Sequence, residues 1–308
     1  MIDLSIIIPV MNEARNIGPL LSALNETAAK TDLTFEFLFV EGGSRDNTLE
    51  ILRQKAREDK RIKIISLSRS FGKEASLLAG FDFCKGSAAV PLDADLQDPP
   101  LVILEFIKKW KEGYLDVYGA RRTRADGFMK NTVSRVFYKI FNLLSERAIP
   151  FDAGDFRLLD RAVIDAIKEC RETNMFMKGL YGWTGFKSCA VYYDRPARFA
   201  GKTSWNWWKL WNFALDGIFN SSTMPLRIWT YCGLLSALVT AFYALFIFIR
   251  TLLFGVDVPG YASLLLCILF FGSMQMVMLG VTGEYIGRIF KEVRRRPNYI
   301  IERKFNLD

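Results

Sequence analysis

Short apolar runs alternate with amphipathic stretches through the N-terminal part of the chain. Leu4 to Val10 (LSIIIPV) is an apolar run containing Pro9. Its length fits a buried strand, and it lacks the basic start, longer apolar core and small-residue cleavage site of a signal peptide. Further strands are expected at Phe35–Val40, Ile62–Leu67, Ala88–Leu92 and Asp116–Gly119, with helices near Asn47–Arg57, Glu74–Phe83 and Leu101–Lys111 between them. This alternation predicts right-handed βαβ units and an α/β domain with a mostly parallel sheet covered on both faces. Ligands of such sheets lie at the C-terminal strand ends. The polar segments after Val10, Val40, Leu92 and Gly119 are therefore where chemistry is to be sought.

The pattern changes near residue 203. Trp205, Trp207, Trp208, Trp211 and Phe213, mixed with Lys209, read as an amphipathic helix at a membrane interface. No charge occurs between Arg227 and Arg250, nor from Val258 to Gly283. Each stretch is long enough to span a bilayer as a helix. The short link Thr251–Val258 makes the two an antiparallel hairpin. Buried helices of a soluble core are the competing reading, but such helices rarely run so long without a charge. Arg288, Lys291, Arg294, Arg295 and Arg296 follow the second stretch, which puts that end and the N-terminal domain on the cytoplasmic side; Arg250, beside the outer loop, runs against this. The expected division is a cytoplasmic domain over 1–202, an interfacial segment over 203–225, a two-helix transmembrane hairpin over 226–290 and a basic tail over 291–308.

Composition narrows the chemistry. The 308 residues carry a net charge of +8, which favours an anionic partner. The basic residues cluster at the membrane flank, where anionic lipid accounts for them, and no nucleic-acid recognition motif is present, so nucleic acid is not expected as a partner. The five cysteines are scattered without a CxxC pair, so neither a zinc site nor a disulfide framework is indicated. Histidine is absent. Carboxylates are left to do any acid–base or metal work.

The strongest local signal is Val90–Pro100, VPLDADLQDPP. It sets Asp93 and Asp95 two residues apart where an apolar strand ends. Paired oxygen ligands there suit Mg2+ or Mn2+, hard cations that also bind diphosphate oxygens. Asp-x-Asp alone is common, and capping or solvation is the plain alternative. Ser44, Asp46 and Thr48 read as a helix N-terminus with Ser44 as the cap.

Four segments together resemble the family 2 glycosyltransferases of GT-A fold: IIIPVMNEARNI (Ile6–Ile17), VEGGSRDNT (Val40–Thr48), PLDADLQDPP (Pro91–Pro100) and GDFRLLDR (Gly154–Arg161). With FMKG (Phe176–Gly179), RFAGKTSW (Arg198–Trp205) and the terminal hairpin, the whole chain is similar to the polyprenyl-phosphate glycosyltransferases. These include the bactoprenol glucosyltransferases of O-antigen modification and, more distantly, the dolichol-phosphate mannose synthases. The resemblance implies a Rossmann-like GT-A domain and transfer of a hexose, glucose from UDP-glucose in the first instance, to undecaprenyl phosphate with inversion. Mannose or a modified pentose are the alternatives, and a catalytically degenerate membrane scaffold is the reading from another class. A processive synthase is disfavoured, because no Gln-x-x-Arg-Trp occurs. The same resemblance implies a bacterial inner membrane location, a homo-oligomer and a glycolipid flippase as partner.

Site roles follow from the same likeness. Pro9, Asn12 and Glu13 form the first donor-site loop, although Glu13 reads equally as a solvated loop acid. Glu41 takes the nucleoside contact, but Gly42 stands where the family usually writes Asp. Arg198 and Lys202 belong to a segment that closes over the donor diphosphate. Asp155 matches the acceptor-side carboxylate often described as the base. A lipid phosphate, with a second pKa of about 6, is already ionised near neutral pH, so Asp155 has an alternative role in orienting or stabilising charge. Arg121, Lys130 and Arg135 fall on the acceptor-phosphate side, with a solvated surface role, the wet face of a helix for the last two, as the competing reading of all three. Arg157 is either a phosphate ligand or the ion-pair partner of Asp155.

Overall fold

The structure, a computed structural model, describes residues 2–121, 153–173, 175–194, 224–255 and 260–307. The chain divides into two compact units, Met1–Gly217 with Arg296–Asp308, and Ile218–Arg295.

The first unit is built on one eight-stranded sheet: β1 (Leu4–Val10), β2 (Phe35–Glu41), β3 (Ile62–Leu67), β4 (Ala88–Pro91), β5 (Asp116–Arg121), β6 (Ala153–Asp160), β7 (Ser188–Tyr193) and β8 (Ile301–Phe305), in the order β7-β5-β6-β4-β1-β2-β3-β8. The central strands β4, β1, β2 and β3 are parallel neighbours. Both their faces are covered, which is why they read as largely apolar runs, interrupted by buried polar residues such as Ser5, Glu36 and Lys63. Ile6 and Ile8 point to one face, packing with Leu20 and Leu24 of α1 (Ala14–Ala28), Leu52 of α2 (Thr48–Glu58) and Phe106 of α4 (Ile103–Lys111). Ile7 points to the other face, with Leu77 and Phe81 of α3 (Lys73–Phe83), Ile164 of α5 (Arg161–Glu169) and Met177 of α6 (Met177–Thr184). The two-residue period of a strand produces this division. Helix α3 lies so close to β1 that a Cβ at Gly80 would come within 2.2 Å of Ile7 Cγ2; only glycine fits there.

Two features depart from a simple parallel sheet. β6 runs antiparallel between β4 and β5, so β5 keeps the direction of the central strands and pairs in parallel with β7. Because β6 is reversed, its first residues arrive at the C-terminal end of β4. The second feature lies at the chain's end: part of the stretch expected as a basic tail is strand β8, antiparallel to β3 with Ile64 opposite Phe305. The Asn306 amide donates to the carbonyls of Ala56 at 2.7 Å and Ile62 at 2.9 Å, and Arg53 stacks over Phe305 at 5.0 Å. The alternating charges of Ile301–Phe305 (IERKF) conceal an edge strand whose charged side chains stay in water.

The second unit holds α7 (Met224–Phe254) and α8 (Tyr261–Val293). Both helices run past the charge-free windows, through Arg227 and Arg250 in α7 and into Glu284–Lys291 in α8. Leu226–Phe254 and Cys267–Val293 are long and apolar enough to cross a membrane, and large side chains such as Leu235, Phe242, Phe246 and Leu252 are exposed along α7. Of the expected interfacial segment 203–225, only its last two residues are described, as the start of α7.

Candidate active site

The strand order reverses at β1: β2 and β3 follow on one side and β4 on the other. A crevice is expected beyond the C-terminal ends of the strands at such a reversal, and the loops after β1, β2 and β4 all end there.

The loops after β1 and β2 are stitched together. Asn12, in the left-handed region at φ 59°, accepts from the Arg45 amide at 2.8 Å, and its own amide donates to Ser44 Oγ at 3.0 Å. The Glu13 amide donates to Thr48 Oγ1 at 2.9 Å, while Asp46 accepts from Thr48 and from the Ala14 amide. Burial opposes ionisation of Asp46, but these hydrogen bonds, Thr48's hydroxyl foremost, bring its pKa below the ordinary value. Ser44 is therefore a loop tie and not the cap expected of it; Asn47 occupies the cap position without a side-chain hydrogen bond. Glu13 Oε2 accepts from Asn16 Nδ2 at 2.5 Å. Pro9 lies within β1, beside Val40.

Glu41 is buried, with one carboxylate oxygen accepting from the Ser44 amide and the other from Ser66 Oγ at 3.0 Å. Each oxygen keeps a second acceptor site, so a nucleoside contact would not require it to release either. At Gly42 an added Cβ would meet Val10 O at 3.5 Å and Met11 Cβ at 3.8 Å. Those are ordinary contacts, so the glycine is a chemical departure from the family pattern and not a steric necessity.

Asp93 and Asp155 converge. β4 and β6 pair Ala88 with Asp160 and Ala89 with Leu159; continued beyond the strand, that register sets Asp93 opposite Asp155. Between them stands Lys73, the first residue of α3, delivered by a turn at Gly72 with φ 94°. Its Nζ lies 2.7 and 2.9 Å from the two oxygens of Asp93 and 2.8 Å from Asp155 Oδ2. Burial works against the ammonium, yet the charges of Asp155 and then Asp93 raise its pKa well above the usual lysine value. Burial likewise works against an ionised Asp155, but Lys73 and then Lys178 hold its pKa down at about 2. Asp155 Oδ1 is buried without a hydrogen-bond partner among the described residues, which leaves an acceptor unmet beside the ion pair. Glu74, next along α3, accepts from the Met177 amide at 3.3 Å; burial and then the charge of Asp155 raise its pKa to about 7. Asp95 accepts from the Gln97 amide at 3.1 Å, in a loop where Leu96 has φ 60°. Tyr193 Oη fastens that loop by donating to Asp98 at 2.5 Å.

Arg157 is placed otherwise than expected. Its Nη1 pairs with Asp116 at 2.9 and 3.1 Å, Nη2 donates to the Gly154 carbonyl at 2.9 Å, and the guanidinium stacks on Tyr181 at 4.0 Å. Its side chain is only 3% exposed, so it is neither the partner of Asp155 nor open to a phosphate. Asp116, opposite Leu159, is its diagonal neighbour across the β5–β6 pair, within reach of the guanidinium fork. Arg121 is the last residue of β5, opposite Tyr193. Lys130, Arg135, Arg198 and Lys202 lie outside the described residues.

Lys73 was not among the residues singled out from the sequence. Its partners are 20 and 82 positions away. The available signal was a lysine opening the helix after β3, at the same sheet end as the DADLQDPP segment. Asp93 and Asp95 fit a hard divalent cation in the nature of their donors, which are oxygens only, and two carboxylates leave further positions for diphosphate and water. Among the described residues no group of three or more metal-ligating side chains gathers, so these residues alone do not enclose a cation.

The family model for glycosyl transferase family 2 matches residues 5–168. An uncharacterised glycosyltransferase of Synechocystis sp. is 47% identical over 308 residues, 100% of this chain and 97% of that protein. A prophage bactoprenol glucosyl transferase homolog of Escherichia coli is 44% identical over 301 residues, covering 97% of this chain and 98% of the other. The bactoprenol glucosyl transferase of Shigella phage SfII is 43% identical over 301 residues, 97% of each chain.

Proposed function

The chain belongs to glycosyl transferase family 2, and from that premise we propose that this glycosyltransferase moves glucose from UDP-glucose onto undecaprenyl phosphate, with inversion and with Mg2+ or Mn2+. The observation that carries this reading is the shared ammonium of Lys73. It ties the DADLQDPP segment to Asp155 of the GDFRL segment, so the donor-side and acceptor-side carboxylates occupy one site. Relatives named bactoprenol glucosyl transferase, similar along nearly their whole length, support the acceptor and the sugar.

In this reading the stitched loops after β1 and β2 form the floor under the nucleoside, with Asn12 and Glu13 held in place by the hydroxyls of Ser44 and Thr48 and the amide of Arg45. Asp93 and Asp95 hold the divalent cation, which when bound supplies positive charge against the departing nucleoside diphosphate. Asp155, ionised and held by Lys73, has one oxygen left over. That oxygen is suited to stabilise positive charge developing at the anomeric carbon or to orient the attacking phosphate, and an acceptor that is already ionised needs no base. Charges already in place once the donor and cation are bound supply the acceleration.

The helices α7 and α8 anchor the enzyme in a membrane in this reading. The chain leaves the sheet unit before them and rejoins it as β8, so a pair of crossings brings it back to its starting side. That side is the cytoplasmic face of a bacterial inner membrane, where nucleotide-sugars are found. A homo-oligomer and a partner that carries the glycolipid across belong to the same proposal.

The test is a panel of UDP- and GDP-sugars offered to the purified full-length protein with undecaprenyl phosphate, following lipid-linked product by mass. UDP-glucose should give a product heavier by one hexose. Product from another donor alone would replace the sugar assignment, and no lipid-linked product from any donor would overturn the acceptor.

A further inference from the structure

Two carboxylates converging at a strand end ordinarily leave their oxygens to a cation. Here a protein group stands in that gap. Both oxygens of Asp93 lie within 2.9 Å of Lys73 Nζ, and the same nitrogen reaches Asp155 at 2.8 Å. Oxygen lone pairs directed at an ammonium are not available to a metal ion, and a divalent charge brought beside Lys73 meets repulsion as well as competition. Asp95, the other expected ligand, already accepts from the Gln97 amide.

Lys73 is also able to move. Its side chain is 40% exposed, and a flexible four-carbon stem carries the charge. A diphosphate entering the site would bring negative charge that offers the ammonium a new partner while Asp155 remains within reach. The other cation packed against Asp155 from its own strand, Arg157, is closed onto Asp116 and does not compete for Asp93.

We propose that Lys73 is a resident cation occupying Asp93, so that a divalent ion enters this site in company with a nucleoside diphosphate and binds only weakly by itself. The proposal rests on the metal-dependent transfer proposed above and assigns Lys73 as the residue that sets the order of loading. It is a positioning residue: it acts through the availability of Asp93 and the placement of Asp155.

The test is Mn2+ binding to the purified full-length protein without nucleotide, read by loss of the free-ion electron paramagnetic resonance signal. Lys73→Met should bind bare Mn2+ about tenfold more tightly than the wild type, the scale of one unit charge removed from a partly exposed site. Lys73→Arg, which keeps the charge, should stay at the wild-type value. Addition of UDP should tighten Mn2+ binding strongly in the wild type and much less in Lys73→Met. A melting curve checks folding, and Lys73→Gln serves if the methionine variant does not fold. Bare Mn2+ binding that is unchanged or weaker in the uncharged variants overturns the proposal. Because ion binding is the readout, failure of the sugar-transfer panel leaves this comparison standing, and the two readings fail separately.

Discussion

Two lysines stand among carboxylates at opposite ends of the same parallel strands. At the N-terminal end, Lys63 Nζ lies 2.5 Å from Glu36 Oε2, with the glutamate side chain 1% exposed. The other Glu36 oxygen accepts from Ser5 Oγ and the Lys85 amide, and the Gly86 amide closes onto Ser5. At the C-terminal end, Lys73 serves Asp93 and Asp155 in a site open to solvent, and one Asp155 oxygen is left unmet. The residue types are alike. What differs is completeness: the sealed cluster uses its hydrogen-bonding capacity to join three strands and a loop, whereas the open one holds capacity in reserve for a ligand.

Removing the sealed charge should have the largest effect. Lys63→Met strands a buried carboxylate and should cost about 3–5 kcal/mol of stability, seen as a large fall in melting temperature, while transfer per folded molecule is retained. The same substitution at Lys73, whose ion pairs are partly exposed, should lower the melting temperature much less and reduce transfer as well. If both variants lost stability equally, the contrast between the two ends would collapse. Asp155→Asn comes next: kcat should fall about a hundredfold with the KM for nucleotide-sugar preserved, in steady-state assays of the two substrates.

A smaller effect sharpens the picture of the open end. Glu74 has a folded pKa of about 7 against an ordinary 4.5, raised by burial and then by Asp155. A carboxyl raised in this way contributes its stabilisation fully below 4.5, and that contribution is lost as pH rises through about 7. Glu74→Gln should therefore melt higher than wild type at pH near 8 and with little difference at pH near 4.5. A difference independent of pH would show that burial does not govern this group. The smallest effect is expected on the surface, where Arg171 pairs with Asp82 at 2.8 Å but is half exposed. Arg171→Ala should cost about 0.2–1 kcal/mol, because Tyr299 also donates to Asp82.

How legible each region was follows from the range of its interactions. β1 and β3 coincide with the apolar runs that predicted them, since a strand buried on both faces writes most of its length in Ile, Val and Leu, with Ser5, Pro9, Lys63 and Ser66 as the exceptions. The DADLQDPP segment was legible because its carboxylates are neighbours in sequence. Lys73 was not, since nothing local ties it to carboxylates that meet it only through the crossover of β4 and the reversed β6. Arg157 misled for a related reason: it shares the face of Asp155, two residues away on β6, which invites pairing between them, but its guanidinium is taken up by Asp116 and the Gly154 carbonyl. β8 was hidden by its charges. Its partner β3 lies more than two hundred residues earlier, and an edge strand wet on its outer side carries little apolar signal. The apolar helices were legible at their centres, while their charged ends extended further than the uncharged windows.

The account stands on the carboxylates at the open end acting on a nucleotide-sugar and a polyprenyl phosphate. The most direct measurement is lipid-linked product formed by purified full-length protein from UDP-glucose, undecaprenyl phosphate and Mn2+, wild type beside Asp95→Asn. The account predicts product with wild type that disappears on chelation, and none from the variant although its melting temperature is unchanged. Full activity in Asp95→Asn would contradict it.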